Sequence, residues 1–256
     1  MKKYLSLILF FSFTITLQAA TLTLDAPKLS IQQAFGTPEA IQLGPVFDLW
    51  YYQNNNYLIL YRSKLKGYSD ATDLSLDLRP KKPSKAKWLT TDSTPDDVLS
   101  VLGTPRKITP GNLYEIWWYD NAFIKFLKGH IMEYADGQRL KFDFTKRPLP
   151  QPPKTLGEFT KTSEVIALKG TPSHYRRGVE YDTWWYNEDV MLVQGNNLHY
   201  VDKHPYKTPK GPTPNYLTKE DPVMNRLHYK NTPPLKLPLR IDIPQLEERN
   251  LNDWED

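Results

Sequence analysis

Gly36-Thr37-Pro38 recurs as Gly103-Thr104-Pro105 and again as Gly170-Thr171-Pro172, a step of 67 residues each time. A chain with such a period builds its core from copies of one supersecondary unit. Other residues keep the same step: Ile31, Val98 and Val165; Gly44, Gly111 and Gly178; the acids Asp48, Glu115 and Asp182; and Trp50, Trp117 and Trp184. Further on the step shortens to 66, aligning Tyr68-Ser69-Asp70, Tyr134-Ala135-Asp136 and Tyr200-Val201-Asp202. One residue lost per copy between the Trp and the Tyr-x-Asp fits a shrinking hairpin loop.

The middle copy shows what the unit is. Thr94-Pro95-Asp96-Asp97 offers a capping hydroxyl, a proline at the first helical position and carboxylates in the first turn. Val98, Leu99, Val101 and Leu102 then predict a two-turn helix, stopped by Gly103 with Pro105 beyond it. Asp25 is the corresponding start signal in the first copy, and Thr160 or Thr162 in the third. Strands are predicted over Leu113–Tyr119, Ala122–Leu127, His130–Ala135 and Arg139–Phe144, separated by Asp-Asn, Lys-Gly and Asp-Gly turn pairs. Leu74, Leu76 and Leu78 match Leu140, Phe142 and Phe144, so the fourth strand recurs in the first copy. The expected fold class is α+β: three tandem units, each a short helix on a three- to four-stranded antiparallel meander, with an extended Pro-rich C-terminal arm. One such unit buries too little to stand comfortably alone, so the copies should pack together.

Domain limits follow from composition. Residues 1–20 read as a signal peptide: Lys2-Lys3, an apolar run from Leu5 to about Ile15, and Ala19-Ala20 as the cleavage region. The three repeats occupy 21–78, 91–145 and 158–203. Basic, proline-rich linkers lie at 79–90 and 146–157. Residues 204–256 form a proline-rich tail that is extended or disordered; Pro205, Pro209, Pro212 and Pro214 exclude one continuous helix or a central strand. The chain has no cysteine, which excludes a disulfide scaffold, a thiolate metal site, a cysteine nucleophile and a lipid-bearing cysteine. Export to the periplasm, to the periplasmic face of an outer membrane or beyond the cell is therefore expected, without a lipid anchor. Lys plus Arg total 33 against 29 Asp plus Glu, a net +4 that falls to +2 once Lys2 and Lys3 leave with the signal. That balance carries no nucleic-acid footprint.

A V-x-x-x-L-G-T-P run followed about fourteen residues later by W-x-Y resembles the BamE (SmpA/OmlA) family. The matching residues are Val98, Leu102, Gly103, Thr104, Pro105, Trp117 and Tyr119. The tandem helix-on-meander plan is also similar to the β-lactamase inhibitor protein, hence to the wider BLIP-like superfamily. The likeness covers the three units and not the linkers or tail. It implies a protein-binding module of the bacterial envelope, linked to outer-membrane assembly or integrity, with no active site. The alternative it implies is a secreted proteinaceous enzyme inhibitor. The departures are three copies, one helix per copy and the missing lipid-bearing cysteine.

Period-two alternation splits each Trp-bearing strand into two faces. Phe47, Leu49 and Tyr51, Tyr114, Ile116 and Trp118, and Tyr181, Thr183 and Trp185 make an apolar side, expected to meet the helix. Asp48, Trp50 and Tyr52, Glu115, Trp117 and Tyr119, and Asp182, Trp184 and Tyr186 make the other side. Its mix of acid and aromatic suits a surface for peptide or glycan, and these nine are the candidate binding residues. Packing of the same Trp residues between repeats is the competing reading. The five histidines lack metal-site spacing, so no metal or cofactor is expected. His174 or His199 beside Glu180 and Asp182 is the one conceivable hydrolytic pairing, and it has no nucleophile motif beside it. Acids that recur in every copy where histidines do not favour structure over catalysis; the chain is expected not to be an enzyme. Gly44, Gly111 and Gly178 are expected to serve turns with positive φ. Its partner should be another envelope protein or peptide, with weak contact to anionic lipid or cell-wall polymer through the basic linkers as a further reading.

Overall fold

A computed structural model describes residues 19–111, 113–186 and 189–202 and the backbone of 235–236. The signal segment up to residue 18 and the tail after 202, apart from Leu235–Lys236, lie outside the described residues. Strand β1 (Ala20–Leu22) precedes the first copy, which holds α1 (Lys28–Phe35), β2 (Ala40–Gln42), β3 (Asp48–Tyr51), β4 (Tyr57–Tyr61) and β5 (Lys64–Tyr68), with β6 (Leu76–Leu78) after it. The second copy holds α2 (Pro95–Leu102), β7 (Lys107–Pro110), β8 (Tyr114–Tyr119), β9 (Ala122–Leu127) and β10 (His130–Ala135). The third holds α3 (Thr162–Lys169), β11 (His174–Arg176), β12 (Asp182–Tyr186), β13 (Asp189–Gln194) and β14 (Asn197–Asp202). A short β15 (Leu235–Lys236) completes the set.

The expected α+β class of three helix-on-meander units is overturned. Among the described residues thirteen strands hydrogen-bond into one sheet, β14-β13-β12-β11-β10-β9-β8-β7-β5-β4-β3-β2-β15, and three α-helices of eight residues each accompany it. The chain is β-dominated, and its copies are fused edge to edge, not stacked as separate bodies. Two antiparallel joints do this: β5 meets β7 at Tyr68↔Ile108, and β10 meets β11 over Glu133↔Arg176, Tyr134↔Tyr175 and Ala135↔His174. Each joint needs a strand that alternation did not show, the short one directly after Gly-Thr-Pro (β7 and β11), whose first-copy equivalent is β2. Conversely, the predicted strand Arg139–Phe144 is a tight turn running into a 3-10 turn at Phe144–Lys146. Its first-copy counterpart β6 leaves the large sheet and pairs in parallel with β1.

Local rules explain the helices. Thr94 and Asp97 form a reciprocal capping box at the start of α2. In the third copy neither Thr160 nor Thr162 caps; the Glu164 carboxylate accepts from the Lys161 amide at 2.9 Å instead. Asp25 is likewise no cap, for Pro27 precedes α1 and Asp25 pairs with Lys66 and Lys81. All three helices end at the glycine of Gly-Thr-Pro, where φ is +73°, +77° and +78° for Gly36, Gly103 and Gly170. Positive φ was expected instead at Gly44, Gly111 and Gly178. At Gly178 the requirement is space: a methyl group there would sit 2.1 Å from the Tyr181 carbonyl.

The core lies between helices and sheet. Ile31, Val98 and Val165 belong with Trp50, Trp117 and Trp184 to one cluster that runs through all three copies. Leu22, Leu89 and Leu156, also 67 residues apart, join it. Leu89 is fully buried although it falls within the stretch read as a linker, and it bridges to Phe142.

Candidate functional site

The nine candidate residues come together copy by copy, but on the helix side of the sheet. Trp50, Trp117 and Trp184 are 1%, 0% and 6% exposed. Each tyrosine two residues later turns its hydroxyl back to the helix end. Tyr52 donates to the Gly36 carbonyl at 3.5 Å, Tyr119 to Gly103 at 3.1 Å and Tyr186 to Gly170 at 3.0 Å. Carbonyls at a helix C-terminus have no intrahelical donor, so these phenols satisfy them. Burial pushes all three phenols above their ordinary range. Asp182 accepts from the Tyr175 hydroxyl at 3.0 Å and the Gly178 amide at 3.2 Å. Asp48 is half-buried and engaged.

Glu115 differs from the other two acids. Its carboxyl lines a cleft of about 280 Å³ between the first and second copies, with Asp25, Lys66, Arg79, Lys81 and Asp96 around it. Burial pushes Glu115 up to about 7, against the pull of Lys66, the Trp117 indole and Lys81, with Asp25 adding to the rise. Burial acts on Asp25 in the same sense, but the ammonium groups of Lys66 and Lys81 outweigh it and hold that carboxyl below its usual value.

The opposite face reverses the sequence assignment. Phe47, Leu49 and Ile59, with Tyr51, Tyr57 and Tyr61 around them, form one cluster; Tyr114, Ile116 and Phe123, with Trp118 and Leu127, form another. No helical residue belongs to either. Cross-strand pairing continues this helix-free face over the second joint in two rows. One runs Trp118, Phe123, Ala135, His174, Trp185, Val190. The other runs Ile116, Lys125, Glu133, Arg176, Thr183, Leu192.

At their centre sits a buried polar cluster. His174 Nε2 lies 3.2 Å from Glu133 Oε1, and the two side chains are 1% and 2% exposed. Phe123 meets the imidazole edge-on and Trp185 lies 4.5 Å from it, centroid to centroid. Arg176 sits 5.2 Å over the Trp185 ring with its Nε 3.7 Å from Glu133, and Lys125 sits 4.6 Å over Tyr114. The acid partner of His174 therefore comes from the preceding copy, not from Glu180 or Asp182. His199 instead faces Glu158 at 3.8 Å on the surface. Trp118 Nε1, Trp185 Nε1 and Arg176 Nε are buried donors without a hydrogen-bond acceptor among the described residues. Chemically the rows offer the partly exposed Trp118 and Arg176 beside buried aromatic rings, which suits contact with a peptide or protein.

Sequence reasoning missed this cluster because it does not recur. The one available signal was a charge at Lys125 and at Glu133 inside strands otherwise rich in apolar residues. The basic linker cations are partly committed within the chain, Arg79 to Asp77 at 2.7 Å and Arg147 to Asp92 at 2.9 Å. Among the described residues no three His, Asp or Glu side chains gather as a metal site, and no helix is long and apolar enough to cross a membrane. Compared with known proteins, the chain matches no family model, no curated protein and no solved structure.

Proposed function

We propose that this chain is a non-catalytic, exported protein of the bacterial cell envelope that binds another envelope protein or peptide through the helix-free face of its sheet. The observation that carries this reading is the pair of cross-strand rows at the second joint, aromatic and cationic, on the face whose clusters include no helical residue. A sheet face without helices is where a second body packs in layered folds. Aromatic side chains and arginine are the residue types that dominate binding energy. The leader-like N-terminus and the resemblance to BamE-like envelope modules supply the compartment. A secreted inhibitor of the BLIP-like type would use the same face and differ in its partner, a soluble enzyme.

The test is fractionation with affinity capture from the envelope, using the full chain and the Trp118→Ala and Arg176→Ser variants. The expected result is export of all three, with a captured protein or peptide retained by the parent and lost by both variants at unchanged secondary structure. Recovery of the parent in the cytoplasm, or equal capture by all three, overturns the proposal.

A further inference from the structure

The two joints between copies are built alike. At the first, the Tyr68 hydroxyl donates to the Pro105 carbonyl at 2.7 Å, the Leu78 amide to Thr104 Oγ1 at 2.8 Å and the Ala71 amide to the Arg106 carbonyl at 2.7 Å. At the second, Tyr134 donates to Pro172 at 3.0 Å, the Phe144 amide to Thr171 Oγ1 at 2.8 Å and the Gly137 amide to the Ser173 carbonyl at 2.8 Å. Each Gly-Thr-Pro thus ends its own helix and also receives the copy before it. The strand that follows takes the preceding copy's last strand antiparallel, with a tyrosine opposite Ile108 or Tyr175.

The first copy carries the same receiving half, and among the described residues no copy precedes it. Thr37, Pro38 and Ile41 lie 67 residues before Thr104, Pro105 and Ile108. Thr37 is exposed, and among the described residues no amide reaches its hydroxyl and no hydroxyl reaches the Pro38 carbonyl. What lies along β2 is β15, antiparallel, with Leu235 opposite Ile41 and Lys236 opposite Ala40. Leu235 therefore holds the register position that Tyr68 and Tyr134 hold at the joints. The sequence around it reads Pro233-Pro234-Leu235-Lys236-Leu237-Pro238, and proline has no amide to donate. This segment pairs with β2 over two residues, whereas β10 pairs with β11 over three.

We propose that the β2 edge is a strand-addition site, occupied at rest by the chain's own Leu235–Lys236 and open to an extended segment of a partner protein that places a tyrosine opposite Ile41. Main-chain hydrogen bonds to β2 supply general affinity in this mode of recognition. The tyrosine supplies selectivity, because its hydroxyl reaches the Pro38 carbonyl as Tyr68 reaches Pro105. The site is separate from the helix-free face and stands whether or not that face binds.

The probe is a fluorescent synthetic peptide with the sequence of residues His130–Asp136, offered to the full chain and to its Leu235→Pro and Lys236→Pro variants. Both variants should bind it about ten-fold more tightly than the parent, since the resting strand no longer competes. Hydrogen exchange at Ala40–Gln42 should speed up in the variants and slow again with peptide. Tyr134→Phe in the peptide should weaken binding about five-fold, the size of one net hydrogen bond. Tryptophan emission unchanged from the parent shows that each variant is folded. Equal affinity for parent and variants, or protection mapping away from Ala40–Gln42, overturns the proposal. Self-association of the variants through a protected β2 also overturns it and assigns the edge to a second copy.

Discussion

Trp117 and Trp118 are neighbours in the chain and point to opposite faces, so they report on which face holds the core. Alternation alone predicts the larger loss for Trp118→Ala, because its face also carries Tyr114 and Ile116. Burial reverses the order: Trp117 is fully enclosed in the core shared with the helices, while Trp118 lies partly exposed on the helix-free side. Trp117→Ala should cost about 3–5 kcal/mol. Trp118→Ala should cost about 1 kcal/mol. Urea midpoints of the two variants check this, and equal losses would mean a sheet covered on both sides. The faces were not separable in sequence because both carry aromatics at period two, and alternation says which residues share a side, not which side is covered. Glu115 gives a second residue-scale expectation. Its folded-state value near 7 lies above the 4.5 of an ordinary glutamate, so the folded state binds its proton more tightly. The resulting stability is complete below about pH 4.5 and lost as pH rises through 7, up to about 3 kcal/mol. Denaturation at pH 5 and pH 8 should show this drop in the parent and not in Glu115→Gln; a parent with the same midpoint at both pH values would refute the raised value.

At the scale of the element, the first joint depends on a residue with no side chain. A methyl group on Gly67 would lie 2.5 Å from the Ile108 carbonyl oxygen and 2.8 Å from Pro110 Cδ, both in the neighbouring copy. Backbone cannot yield there without parting β5 from β7, so Gly67→Ala should cost about 3 kcal/mol. Gly157→Ala, where a methyl group meets nothing within 4 Å, is the control and should be close to neutral. Thermal melts of the pair decide; a silent Gly67→Ala would show that the joint is loose. The helices and the strands bearing Trp were legible, since caps, the terminating glycine and the Trp–Trp step all act locally. The joining strands were not: β2 and β11 have three residues and β7 has four, too few for alternation to register. The 66-residue step of Tyr68 and Tyr134 does not carry into the third copy. Trp50, Trp117 and Trp184 pair with Leu58, Ile124 and Met191, whose next neighbours are Tyr68, Tyr134 and Val201. Val201, not Tyr200, is thus the counterpart of Tyr134, and Tyr200 is 54% exposed where Tyr68 and Tyr134 are fully buried.

Across the whole molecule the two joints are unequal, and that sets the order of opening. The second joint pairs three residues and buries Glu133 against His174 within an aromatic cage. The first pairs one residue, and glycine stands at position 67 where the second copy has Glu133. Beyond the hydrogen bonds that both joints share, its ion-pair link lies near the surface, Arg106 to Asp70 at 2.9 Å. Exposed pairs of that kind contribute little each and are screened by salt, whereas a buried pair is screened much less. A fused array behaves as copies coupled through nearest-neighbour interfaces, so the weaker interface should part first. Native-state hydrogen exchange under rising denaturant should therefore show β3, β4 and β5 opening together, below the free energy of global unfolding. Strands β8, β9, β12 and β13 should exchange only through the global transition. Raising the salt to about 1 M should lower the opening free energy of the first copy and leave the joint between the second and third unchanged. If all strands share one opening free energy at both salt concentrations, the sheet is a single cooperative unit, and the difference between the joints has no thermodynamic consequence.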